Sequence, residues 1–247
     1  MFENPYVDAA GAAAIAGNAR FQAEADSAQR QSQVMLENRD GILPLDTRAR
    51  KVWIYGIDAS AAGRAGLTVV SDLRAADVAI LRVATPFERL HPYYFFGQRQ
   101  NEGRLDFRDG DADYEAIKKA SALVPTVVFV DLDRAAVLTN VRDKVRALVA
   151  TFGASDAAVL DVAAGRAKAR GRLPLELPSS MKAVGEQDSA VADDSAAPLY
   201  AVGAGLQEAL NRSGARCLAG RGYADTHGAI CSIHSRNADA GSDQRQR

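Results

Sequence analysis

The chain has 247 residues, enough for one large domain or two small ones, each able to bury a core. Its 47% hydrophobic and 25% charged residues exclude a disordered or fibrous chain. A formal net charge of −1 gives no reason to expect nucleic acid or an anionic membrane as partner, and no apolar run approaches the roughly 18 residues that span a bilayer.

The opening octet, MFENPYVD, crowds Phe2, Pro5 and Tyr6 among acids. It has neither the low aromatic content of a loose tail nor the basic start and apolar core of a secretory leader, which makes the cytoplasm the default compartment. Ala9–Leu36 is rich in Ala, Gln, Glu and Arg, with Ile15, Phe21, Val34, Met35 and Leu36 as apolar points. That composition predicts a helix, weakened at Gly11 and Gly17. The segment NRDGILPLD (Asn38–Asp46) stops it with an Asp-Gly pair and a proline.

Short apolar runs then alternate with polar helical ones. Val52–Gly56, Leu67–Val70, Val78–Val83, Thr126–Val130 and Arg146–Phe152 read as buried strands. Helices are predicted at Tyr114–Leu123 and at Ser155–Ala164, the latter with Ser155 as N-cap and Gly165 just past its end. This alternation predicts an α/β fold, a three-layer α/β/α sandwich around a mainly parallel sheet. From about Gln207 the residues follow neither a helical nor a strand period, which predicts a poorly ordered tail. The expected organisation is a helix and linker over 1–39, one domain over 40–206, and the tail over 207–247.

The chemistry-bearing residues concentrate in one long segment, Ala84–Asp113. ERLHPYYFFGQRQNEGRLDF places His91, Tyr93, Tyr94, Phe95 and Phe96 beside Arg89, Arg99, Glu102 and Arg104. It follows a strand, so it leaves the carboxyl edge of a parallel sheet, where α/β folds bind their ligands. Aromatic platforms beside charged donors and acceptors suit a sugar; they suit still better an interface with another domain. Asp131, Asp133 and Arg134 read as a surface salt-bridge turn after a strand. Elsewhere the signals are weak. YGIDASAAG (Tyr55–Gly63) lacks the glycine pattern that admits a pyrophosphate. Cys217, His227, Cys231 and His234 are not spaced like a zinc knuckle, and two cysteines make no disulfide framework. Neither metal nor cofactor is expected.

The most specific stretch is GRLPLELP (Gly171–Pro178), whose two prolines bracket an apolar/acidic alternation that reads as a short edge strand. With the helix SDAAVLDVAAG before it, it resembles a signature of family 3 glycoside hydrolases, the group containing β-glucosidases and β-xylosidases. Three more blocks fall in that family's order: QVMLENRDGILPL (Gln33–Leu45), TVVFVDLDRAAVL (Thr126–Leu138) and DSAAPLYAVGAGL (Asp194–Leu206).

The resemblance covers the family's second domain, an α/β sandwich that follows an eight-stranded barrel, and MFENPYVD looks like the stretch leading into it. It implies a retaining β-glycosidase acting on β-linked oligosaccharides or glycosides, with the Asp nucleophile on a separate catalytic barrel. The second domain commonly contributes the acid/base Glu, often within GExPYxE. Aligning VATPFER (Val83–Arg89) on Pro86 and Phe87 puts Ala84 at the first Glu of that motif and Glu88 one position off the second. Glu102 and Glu88 are therefore the acid/base candidates, and Arg89, His91, Tyr93 and Tyr94 the candidate substrate contacts. A non-catalytic carbohydrate-binding or interaction module, or a gene remnant, fits the same residues.

Overall fold

The computed structural model describes residues 8–46, 51–188, 190–210 and 216–219. Helix α1 (Ala9–Ile15) is capped by Asp8, whose carboxylate accepts from Gly11 N. Helix α2 (Ala19–Gln31) is capped by Asn18, whose side chain accepts from Phe21 N. The single helix expected over Ala9–Leu36 is thus two. Gly17 divides them, at a φ of +71° that most side chains resist.

The carboxyl end of the expected helix is a strand, β1 (Val34–Asn38). Val34 and Leu36 are buried, at 0% and 4% exposure, in one apolar cluster, while Met35 packs against the other. The burial period is two, as a strand demands. Tertiary pairing with a strand more than a hundred residues away overrides the helical composition upstream.

The remaining strands of the main sheet are β2 (Lys51–Tyr55), β3 (Thr68–Val69), β4 (Val78–Ala84), β5 (Thr126–Asp131) and β6 (Ala147–Thr151). Their order is β1-β6-β5-β4-β2-β3, with every pair parallel except β1 with β6. Along β4 and β5 the side chains alternate between two apolar clusters: Leu81, Val83, Val128 and Val130 on one face, Val78, Ile80, Val127 and Phe129 on the other. Both faces are covered, so these strands are apolar throughout rather than alternating with polar residues.

Helix α4 (Ala112–Ser121) covers the first face with Tyr114, Ile117 and Ala120, joined by Val141 of the short α5 (Thr139–Arg142). On the second face lie α3 (Ala59–Arg64) and α6 (Asp156–Ala163). Ser155 caps α6 as expected, accepting from Ala158 N, and Gly165 follows its end. The fold is the three-layer α/β/α sandwich. A last short helix, α7, spans Met181–Glu186.

One further expectation needs correction. Gly171–Pro178 is extended but is no edge strand of the sheet. Leu177 forms a single antiparallel bridge with Tyr200, and Leu173 N donates to Ala204 O at 2.9 Å. Pro174 and Pro178 supply no N–H, so no ladder continues, and Leu173 and Leu177 are buried in the first apolar cluster instead. After Leu206 the described residues form one short local pair, β7 (Gln207–Leu210) antiparallel to β8 (Arg216–Ala219). Such pairing uses the main chain and needs no side-chain period. His227, Cys231 and His234 lie outside the described residues. Among the described residues, no helix is long and apolar enough to cross a membrane.

Candidate functional site

From β2 the chain moves to β3 on one side, then crosses back to β4 on the other. The order therefore reverses between β2 and β4, and at such a point the carboxyl ends of the strands open a crevice. Tyr55 ends β2 and Ala84 ends β4. Asp113, in the first turn of α4, ties them together, accepting from Tyr55 Oη at 2.9 Å and from Ala84 N at 3.1 Å. Burial, then this carboxylate, raises the pKa of the tyrosine above its ordinary value.

Beneath the crevice Arg82 donates from Nε to Asp131 at 2.7 Å and from Nη1 to Asp156 at 2.6 Å. Its guanidinium is held charged chiefly by Asp131. Asp131 therefore pairs within the sheet edge and not with Arg134, as the reading of a surface salt-bridge turn implied.

The long loop over 85–111 leaves from the end of β4. Thr85 is buried and roots it, with its N and Oγ1 both donating to Asp131 O. The loop then folds back on itself at Glu88 and Glu102. Glu88 N donates to Glu102 O at 2.8 Å, and Glu102 N to Glu88 O at 3.0 Å. The two acid/base candidates, fourteen positions apart, thus face each other across a one-pair ladder.

Their carboxylates differ. That of Glu102 turns into the loop and accepts from Leu90 N at 3.0 Å and His91 N at 3.1 Å. His91 Nδ1 lies 3.0 Å away and, carrying the proton, donates to it. The His91 bond, more than the backbone donors, holds Glu102 below the usual glutamate range. The Glu88 carboxylate is exposed and accepts one backbone donor, Arg104 N, at 3.1 Å.

Of the candidate substrate contacts, His91 and Tyr94 come together, their rings stacked with centroids 4.8 Å apart. Arg89 lies over the Phe87 ring at 5.3 Å. Tyr93 is 97% exposed and Phe95 94%. Phe96 meets Phe95 edge to face at 4.6 Å. The turn closes at Gly97, where a Cβ would lie 1.6 Å from His91 O, so only glycine fits.

Sequence reasoning placed Arg134 in a salt-bridge turn and missed its partners. Its guanidinium donates to four loop carbonyls: Pro86 O at 2.5 Å, Glu102 O at 2.8 Å, Arg104 O at 2.7 Å and Gly103 O at 3.3 Å. It forms no ion pair among the described residues.

The molecule is a doubly wound α/β sandwich whose aromatic, carboxylate-bearing loop leaves the carboxyl end of β4 and packs against the turn after β5. Residues 64–208 match the glycosyl hydrolase family 3 C-terminal domain, and the chain belongs to that family. It is 48% identical over 206 residues to a periplasmic β-glucosidase/β-xylosidase of Dickeya chrysanthemi, covering 83% of this chain and 31% of that protein. It is 34% identical to β-glucosidase C of Emericella nidulans, over 84% of this chain and 33% of the relative. The chain thus spans about a third of the length of these curated relatives. Among solved structures, a β-glucosidase from Erythrobacter marinus superposes with a TM-score of 0.67 at 19% identity, over 83% of this chain and 37% of its own. A β-glucosidase from Listeria innocua gives 0.59, also at 19%, over 83% and 36%. At that identity the two structures speak for the fold.

Proposed function

We propose that the chain serves as the C-terminal domain of a retaining β-glycosidase that hydrolyses O-glycosyl bonds in β-linked oligosaccharides or glycosides. Its loop over 85–111 meets the sugar, and a separate catalytic barrel supplies the nucleophile. The observation that carries this reading is the exposed aromatic and carboxylate loop at the carboxyl end of β4, in a chain of this family. Sugars stack on flat apolar rings and bond to charged groups at their rims, which Tyr93, Tyr94, His91 and Arg89 offer.

Retaining hydrolysis needs two carboxyl groups about 5–5.5 Å apart, one as nucleophile and one as acid/base. Between the candidates, geometry favours Glu88 as acid/base. Its exposed carboxylate keeps free lone pairs, while that of Glu102 is occupied by three donors and held ionised. An acid/base must carry a proton in its working cycle, and a carboxylate stabilised in its charged form is a poor donor. Glu102 instead shapes the loop.

The test is an aryl β-glucoside assay of the purified chain, alone and with a separately produced family 3 barrel. Activity is expected only in the mixture, and Glu88→Gln should abolish it. Turnover by the chain alone, removed by Glu88→Gln or Glu102→Gln, would overturn the division of labour.

A further inference from the structure

The geometry points to Arg134 as the residue that positions the aromatic tip of the loop for its ligand. This deepens the sugar-facing reading of that loop and rests on it. Arg134 lies just after β5, in the turn that leads to α5, and reaches across to the neighbouring loop. Its Nη2 gathers carbonyls from both arms of that loop, Pro86 on the outgoing arm and Glu102 and Arg104 on the returning one. Nη1 adds Gly103. The planar guanidinium brings both Nη groups to these carbonyls, while its buried Nε meets no acceptor; a lysine ammonium has no such fork.

The consequence passes to the tip through Glu102. Arg134 fixes the Glu102 backbone, and the Glu102 carboxylate fixes Leu90 N, His91 N and the His91 ring, on which Tyr94 stacks. Two supports hold the turn itself. Thr85 Oγ1 bonds to Arg134 O, and Val137 N donates to Leu105 O. Loss of the guanidinium would thus leave the turn in place and leave the two arms held to each other chiefly by the Glu88–Glu102 pair, which loosens them. No carboxylate neutralises Arg134 among the described residues; its charge is balanced by carbonyl dipoles pointing at it. A surface ion pair would have left those carbonyls to water.

The experiment compares the full chain with Arg134→Lys and Arg134→Gln by residue-resolved hydrogen exchange and by titration with cellobiose. The expected result is exchange at Leu90, His91 and Glu102 that is roughly tenfold faster or more in both variants, with β4 and β5 still protected. Cellobiose binding, where the parent chain has it, should weaken in step. Guanidinium ion added to an Arg134→Ala variant should slow exchange at the tip again, which a general loss of packing would not allow. Parent-like exchange at the tip in both variants would overturn the assignment. So would loss of protection spread evenly over the sheet. A parent chain that binds no cellobiose, yet shows the local loosening, would refute the sugar-facing reading and leave the clamp standing.

Discussion

Glu88 and Glu102 exchange backbone hydrogen bonds in both directions, yet their carboxylates meet opposite conditions. One is exposed with a single N–H at its edge; the other is turned inward onto two N–H groups and an imidazole. The same turn thus yields one carboxylate open to solvent and one bound within the loop. With a complementing barrel, Glu88→Gln should lower kcat by roughly two to four orders of magnitude, the usual worth of a general acid/base. Glu102→Gln should act mainly on KM through the loosened tip. Steady-state kinetics of both variants separates the two roles; a larger kcat loss in Glu102→Gln would reverse them.

The inward carboxylate makes the tip pH-sensitive. Because folding lowers the pKa of Glu102, its contribution is fully present above the unfolded value of about 4.3 and is lost as pH falls through the lowered one. Exchange at Leu90 and His91, corrected for its intrinsic pH dependence, should therefore accelerate on acidification into that range. In Glu102→Gln it should be fast already at neutral pH and change little.

The tip also exposes a run of apolar side chains. Leu90 and Tyr93 to Phe96 are all exposed, in a family whose β-glucosidase relatives are about three times as long. Patches of more than a few hundred Å² are rare on proteins that work alone. Sedimentation should reveal concentration-dependent self-association, weakened by the double change Tyr94→Ser and Phe95→Ser. A monomer at every concentration would refute this. Phe2 and Tyr6 of the opening octet lie outside the described residues.

The core gives a prediction independent of function. Phe129 is fully buried at the centre of β5, among Val127, Ile80 and Val149 of the second apolar cluster. Phe129→Ala should cost about 3–5 kcal/mol, from lost burial and an unfilled cavity, measured by urea unfolding. A loss under about 1 kcal/mol would mean that the sheet repacks freely there.

Much of the architecture was legible because it is written in side chains. Val78–Val83 and Thr126–Val130 are apolar on both faces, and Ser155 sits where a helix must begin. What escaped is written in the main chain or in distant pairing. Val34–Asn38 has no breaker between it and the Ala-rich helix; only its register with β6 makes it a strand. Arg134 looked like half of an ion pair because its partners are carbonyls, which every residue possesses. The joining of His91 to Glu102 depends on how a loop closes, and no period announces that.

The edges of the sheet bear on how the domain behaves once detached from neighbours. One edge strand, β3, is only two residues long. Along the other, β1, outlying chain already takes up open carbonyls, with Gly171 N bonded to Gln33 O and Leu206 N to Met35 O. Little backbone is left there for a foreign strand to zip onto, the usual seed of fibrous aggregates. Clustering through the aromatic tip alone would join side chain to side chain, and such clusters should dissolve on dilution and bind no amyloid dye.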